Sequence, residues 1–267
     1  MIRKWLKFLI PSIVMKIIRY DYKYGWHGDY KDWADALAKS NGYQQDDILD
    51  KIKAAALKVK NGEAAFERDS IAYKEIPCSL PVIAALRWAA GLRQQQLHVI
   101  DMGGSLGTGY RQNMYFLNDI TSVSWNIIEQ PHFVDCGKLY FKNNELNFFY
   151  SLEECMKEKT PGIAMFSTSL QYFEKPYSLL QEIMNYSFDF ILIDRIGLST
   201  SKKDRLTVQH VHPRYYNASY PCWFLTKEKI IKTLSSNYKL VSEYLSDETY
   251  PLGLDDFTYT GFLFKKI

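Results

Sequence analysis

The spacing of apolar positions changes several times along this chain, and each change predicts an element. Ile48, Leu49, Ile52, Ala55, Ala56 and Val59 recur three and four residues apart, the spacing that lines one face of a helix. A helix is therefore predicted over 47–60, with Asp46 as its cap and Gly62 as its stop. A second begins near Pro81 and carries Ile83, Ala84, Leu86, Trp88 and Ala89 to Gly91. From residue 97 the pattern shifts to short apolar runs separated by helical stretches. Strands are predicted at 97–101, 123–129, 146–150, 162–167 and 188–194, with terminal strands at 238–245 and 257–265. Helices fit after Pro131, after Ser151 (where Glu154 completes a capping box), over 177–185 and over 226–235. Seven strands with interspersed helices predict an α/β domain.

The chain before residue 95 reads differently. Residues 1–20 mix aliphatics at 13, 14, 17 and 18 with Arg3, Lys4, Lys7, Lys16 and Arg19. They suit a basic amphipathic helix, either lying on the cytoplasmic membrane face or docked on its own domain or a partner subunit of a homo-oligomer. Residues 21–45 are aromatic; Tyr24, Trp26, His27 and Tyr30 either line an entrance or pin an extended arm, and Asp32 can cap a short helix. Glu63, Glu67, Arg68 and Asp69 form a charged cluster, read as solvated, ion-paired or part of an active-site cover. The division expected is 1–20, a helical extension or cap over 21–94, and an α/β domain over 95–267 with a long connection at 195–224.

Composition narrows the class. The 267 residues are 47% hydrophobic and 24% charged, a soluble globular balance, and no uninterrupted apolar segment approaches transmembrane length. A formal net charge of +3 is too weak to imply a nucleic-acid partner. Cys78, Cys136, Cys155 and Cys222 are widely separated, with no zinc spacing and no disulfide framework. They read as free thiols of a reducing, cytoplasmic compartment.

One stretch carries the chemistry. An apolar run reaches Asp101, and glycines follow at 103, 104, 107 and 109. Strand, glycine turn and helix start are the ingredients of a nucleotide-binding crevice. Glycine lets a ligand approach the backbone, and the free N–H groups of the next helix can face a polar ligand. The spacing is not the dinucleotide Gly-x-Gly-x-x-Gly, since Gln112 stands where the third glycine belongs. No Gly-Lys-Ser/Thr closes a phosphate loop. An acid at the strand end without a phosphate-binding lysine favours a ligand with hydroxyls or a cationic amino acid portion, and S-adenosylmethionine fits. Asp101, Gly103, Gly104, Ser105 and Gly107 are the expected contacts.

Further candidates lie at the later strand ends. Glu129 follows the second strand, where an acid commonly accepts ribose hydroxyls. Ser151 and Leu152 stand at the exit of the third, near the expected adenine, and Ser167 ends the fourth. In the long connection His210 and His212 are candidate bases, and Tyr172, Arg195, Arg205 and Tyr216 could orient a polar acceptor. The i,i+2 histidines lack an identifiable third ligand, so no metal is expected.

The Asp101-x-Gly103-x-x-x-Gly107 turn, Glu129, Ser167 through Gln171 and the terminal strand pair resemble the Rossmann-like class I methyltransferases. That resemblance implies a seven-stranded, mostly parallel sheet with an antiparallel last strand. It also implies a glycine loop against the amino acid part of S-adenosylmethionine and Glu129 on its ribose. A fuller set includes Gly62-Glu-Ala-Ala-Phe-Glu-Arg-Asp69, Glu129-Gln-Pro-His-Phe133, Leu170-Gln-Tyr172, Ile193-Asp-Arg195, Arg205-Leu-Thr-Val-Gln209 and Ala218-Ser-Tyr-Pro-Cys-Trp-Phe224. Together these resemble a little-characterised bacterial family of methyltransferases, often associated with surface-polysaccharide gene clusters. The resemblance implies O- or N-methylation of a small polar acceptor, a saccharide or glycan precursor among them. The alternative is a catalytically inactive cofactor-binding or assembly protein of such a pathway.

Overall fold

The computed structural model describes residues 23–42, 46–252 and 255–267. The amphipathic stretch 1–20, with its membrane and docking readings, lies outside the described residues. The central sheet has seven strands: β4 (Gln96–Met102), β5 (Ser122–Ile128), β6 (Leu146–Phe149), β7 (Ile163–Ser167), β8 (Phe190–Gly197), β11 (Tyr238–Leu252) and β12 (Asp255–Lys266). Their order is β6-β5-β4-β7-β8-β12-β11. The first five run parallel, and β12 is antiparallel to both of its neighbours. This is the Rossmann-like class I methyltransferase fold, with an N-terminal helical extension. The chain winds outward from β4 to β6, then returns to lay β7 against the other side of β4. The point of return is a topological switch, where α/β sheets open a ligand crevice at the strand carboxyl ends.

Alternation along the strands divides the core in two. Leu97, Val99, Val123, Trp125, Ile127, Met165 and Leu192 face one side, toward α2 (Asp46–Lys60), α3 (Leu80–Gly91), α4 (Thr108–Met114) and α5 (Pro131–Tyr140). Ile100, Met102, Ala164, Phe166, Ile191 and Ile193 face the other, toward α6 (Leu152–Glu158), α7 (Pro176–Asn185) and α8 (Lys227–Leu234). A sheet covered on both faces has apolar strands throughout, as observed. Ser151 caps α6 by accepting the Glu154 N–H at 3.1 Å. The Glu154 carboxylate reaches back to the Tyr150 N–H rather than to the cap residue itself.

Three pieces escaped the hydrophobic periodicity. Residues 66–73 form a hairpin of β2 (Phe66–Arg68) and β3 (Ile71–Tyr73). The long connection holds β9 (Arg205–His210) and β10 (Ser219–Phe224), and β1 (Gly25–His27) pairs with β9 to complete a three-stranded antiparallel sheet. Three-residue strands are too short to show alternation. The pairing also joins opposite ends of the chain: Gly25 lies opposite His210, and Gly42 bridges to Ser219. The aromatic arm is pinned: Trp26 is buried edge-on against Phe224, Tyr250 and Phe257. Asp32 caps α1 (Trp33–Leu37) by accepting the Asp35 N–H. Cys136, Cys155 and Cys222 are buried free thiols, and Cys78 is an exposed one. Among the described residues no helix is long and apolar enough to cross a membrane.

Candidate functional site

The chain turns back on itself as soon as β4 ends. Gly103 has a φ of +75°, donates its N–H to Ile128 O at 2.9 Å, and leaves no room for a Cβ, which would sit 2.8 Å from the Cβ of Ser169. A Cβ on Gly104 would fall 2.6 Å from the Asp101 carboxylate. Gly107, at φ +100°, is the N-cap of α4. The loop 103–107 is thus a cradle closed from below by neighbouring side chains. Beneath it Asp101 is 2% exposed, and Trp125 Nε1 donates to it at 3.0 Å. Burial pushes the Asp101 carboxyl up to about 7; the Trp125 bond opposes this, and the charges of Glu129 and Asp194 add to it.

Glu129 follows β5 directly and is half-buried at the rim. One carboxylate oxygen accepts the Ser105 N–H at 3.2 Å and the other the Gln130 N–H at 2.7 Å. Burial raises its pKa, and these two N–H groups hold it down. Glu129 therefore braces the glycine loop from the end of the neighbouring strand β5 while its remaining lone pairs stay available. Leu152 is buried against the lower core, and Ser167 donates to Asp194 at 2.9 Å. Asp101, the loop, Glu129, Ser151, Leu152 and Ser167 all stand at the carboxyl ends of β4 to β7 or in the turns just beyond them.

The opposite wall begins at β7 and β8. Thr168 and Arg195 both hold left-handed backbones, at φ +59° and +53°. Such strain outside glycine costs about 1–3 kcal/mol per residue and gathers at functional sites. The Asp194 carboxylate accepts Ser167 Oγ and, at 2.8 Å, Tyr244 Oη, with Arg195 Nε 3.4 Å away. Ser169 Oγ donates to Met102 O at 2.5 Å, joining the two sides of the switch point. Tyr172 Oη donates to Gln209 Oε1 at 2.7 Å, and its ring meets Tyr220 edge-on at 5.3 Å. The buried Tyr216 hydroxyl lies 3.4 Å from that of Tyr220. Burial holds the phenols of Tyr172 and Tyr216 well above their ordinary range.

The structure separates the remaining candidates from this wall. Register places Trp26, Gln209 and Tyr220 on the inner face of the three-stranded sheet. Alternation sends Leu206, Val208 and His210 outward, where Leu206 and Val208 pack on Ala36 of α1. The His210 ring meets His27 at 5.5 Å, not the crevice, and its pKa is lowered first by burial and then by His27. His212 accepts the Arg214 N–H on Nδ1 and packs against Tyr24. Arg205 Nε donates to Gly28 O at 3.0 Å, bracing the arm that carries β1.

One contributor was hidden in the charged cluster. Glu67, on β2, is 2% exposed, accepts a bond from Thr108 Oγ1, and pairs with Arg111 at 3.2 Å in the first turns of α4. Burial pushes Glu67 up and Arg111 down, against the pull of their pairing. The hairpin is thereby tied to the helix that follows the glycine loop. The signal in the sequence was Asp69-Ser70 between two short β-rich triplets, a turn pair that tolerates left-handed backbone. Among the described residues no group of His, Cys, Asp and Glu could hold a metal ion.

No family model matches the chain, and no curated protein matches it in sequence. Solved structures do. A variant of LepI, solved in complex with S-adenosylhomocysteine (SAH) and a substrate analogue, aligns with 96% of this chain and 64% of its own at TM-score 0.51 and 12% identity. A structure described as a pericyclic reaction enzyme aligns with 96% of this chain and 62% of its own at TM-score 0.51 and 11% identity. The chain thus spans less than two thirds of either. The N-terminal domain of EvdMO1, solved with SAH and D-fucose, aligns over 84% of this chain and 100% of its own at TM-score 0.47 and 10% identity. At this identity, the likeness to the two structures at TM-score 0.51 shows the fold alone.

Proposed function

We propose that the chain is an S-adenosylmethionine-dependent methyltransferase of a small polar acceptor, acting on oxygen or nitrogen. A saccharide or glycan precursor is the acceptor we favour, and the reducing cytoplasm is its setting. The observation that carries this reading is the cradle of residues 103–107 braced by Glu129 from the end of β5, beside the switch point. The donor set fits the ligand. Close-packed glycines leave backbone open to an amino acid portion, a rim carboxylate suits ribose hydroxyls, and no lysine is present in the loop to favour a phosphate. Bound there, the group would supply an electrophilic methyl on a sulfonium. Residues 103–107 would hold its amino acid part, Glu129 its ribose, and Ser151 and Leu152 its adenine edge, with Asp101 and Ser167 supporting the cradle. Tyr172, Tyr216 and Arg195 would orient the acceptor.

Fold alone does not assign the reaction; a neighbour described as a pericyclic reaction enzyme shares this architecture. Binding is therefore tested separately from transfer. Calorimetric titration of the folded chain with SAH is expected to show one binding event. Absence of binding would overturn the assignment. A chain that binds SAH but moves no labelled methyl to any acceptor would be the inactive assembly protein instead.

A further inference from the structure

One guanidinium at the rim stands apart from the pairs that hold the crevice together. Strand β8 carries an extra residue against β12: Ile193 lies opposite Phe262 and Ile196 opposite Thr260, so Asp194 and Arg195 share Gly261. This is a β-bulge, a device that re-aims side chains beside sites. Its effect is legible in the core. Ile191, Ile193 and Ile196 all pack on one side of the sheet, where regular alternation would send residue 196 to the other. Asp194 and Arg195 therefore both project to the opposite side, which holds Tyr216, Tyr220 and Tyr244. Their side chains accordingly approach to 3.4 Å. The bulge is held firmly. Thr168 N–H donates to Asp194 O at 2.9 Å, and the Tyr244 ring lies over Gly261, where a Cβ would collide with it.

The Asp194 carboxylate is not built to neutralise Arg195. Its two oxygens accept from hydroxyls, Ser167 Oγ at 2.9 Å and Tyr244 Oη at 2.8 Å. A carboxylate serving the guanidinium would take two parallel N–H bonds of about 2.7–2.9 Å. Instead only Nε comes near, and that buried nitrogen makes no hydrogen bond. The terminal nitrogens are not buried and donate to no described residue. Buried donors are almost always bonded, so this guanidinium is a charge held ready for an acid from outside the chain.

We propose that Arg195 receives a carboxylate on the methyl acceptor, so that the substrate is an acid, and that Asp194 positions the guanidinium. The inference rests on the methyltransferase reading and deepens it by naming the acceptor's class. The planar guanidinium edge matches the two oxygens of a carboxylate. Charge favours a monoanion over a phosphate dianion. Ser167, Thr168 and Ser169 add no second cation at these strand ends, and Asp194 stands beside the first. The tyrosines on the same side give the rest of the acceptor a surface of rings and hydroxyls. A sugar acid and a hydroxylated aromatic acid share this chemistry.

Calorimetry of the full chain loaded with SAH compares acid and neutral probes: methyl glucuronoside with methyl glucoside, and para-hydroxybenzoate with para-hydroxybenzamide. One acid is expected to bind at least ~10-fold more tightly than its neutral counterpart, the scale of a charge-assisted hydrogen bond, and which one identifies the source. Arg195→Gln should erase that preference. Arg195→Lys, which keeps the charge but not the fork, should retain part of it, with SAH affinity within about twofold in both variants. With S-adenosylmethionine labelled in its methyl group, label is expected in the same acid. Equal binding of acid and neutral probes, no binding of either acid by the SAH-loaded chain, a preference that survives Arg195→Gln, or label in neutral probes alone would overturn the inference. Failure to bind SAH would instead overturn the methyltransferase reading beneath it.

Discussion

The crevice has two walls made by different means. On the side of β4 and β5 the wall is backbone: a glycine cradle, a rim carboxylate held by N–H groups, and a buried Asp101 under the turn. On the other side it is side chains carried by hairpins. Tyr172 meets Gln209 from β9, Tyr216 meets Tyr220, and the β2–β3 hairpin is anchored beside them by Ser70 on Tyr215. The first wall is a property of the strand order and is shared by the fold. The second is assembled from segments more than a hundred residues apart, and it is where this chain can differ from others of the same architecture.

Breaking the backbone wall should have the largest effect. In Gly104→Val the new Cβ would meet an Asp101 carboxylate that Trp125 already holds, so the loop must open. The expected outcome is loss of SAH binding, seen by calorimetry, and a stability cost of ~1–3 kcal/mol, seen by thermal unfolding. Binding at the native affinity would show that the cradle is not the ligand's seat.

Asp101 offers a milder test of the same wall. Folded Asp101 keeps its proton to about pH 7, whereas the unfolded residue loses it near 3.8. The folded state therefore binds more protons between those values, and stability falls as pH climbs through them. Asp101→Asn removes the charge and keeps an oxygen for Trp125. Denaturant unfolding should find it ~1–3 kcal/mol more stable than the native chain above about pH 7.5, the gap closing by about pH 4. An equal gap at both pH values would mean that burial does not shift Asp101.

The smallest effect is expected where the two faces of β9 part. Gln209 points into the side-chain wall and His210 away from it. His210→Ala should leave SAH affinity and methyl transfer to the best probe within about twofold, as for a residue outside the hot region of a site. A loss of transfer of ~100-fold, the scale of general-base catalysis, would return the base to the histidine.

This contrast also explains what could be read from the sequence. The cradle was legible because its signal is local: a strand, an acid and glycines at fixed spacing within 97–110, with Glu129 at the next strand end. The seven strands were legible because burial on both faces makes each a continuous apolar run. The side-chain wall was not. β1, β2 and β3 are three residues each, too short for a period to register. In β9 the choice between Gln209 and His210 turns on which face is inward, and that is set by pairing with β1 and β10, not by the residues themselves. Residue chemistry favoured the imidazole, and register put the amide in the crevice. The choice among solvated, ion-paired and covering roles for Glu67 could not be made from the sequence because its partners, Thr108 and Arg111, are about forty residues downstream.

The central claim is that Glu129 and the glycine cradle together form the seat of S-adenosylmethionine. Calorimetric titration of the native chain and of Glu129→Ala with SAH tests it most directly. The native chain should bind one equivalent, and the variant, folded but without the ribose acceptor and the brace on Ser105, should bind ~10–100-fold more weakly, the loss expected for a charge-assisted hydrogen bond of ~1.5–3 kcal/mol. Equal affinities, or no binding by the native chain, would contradict it.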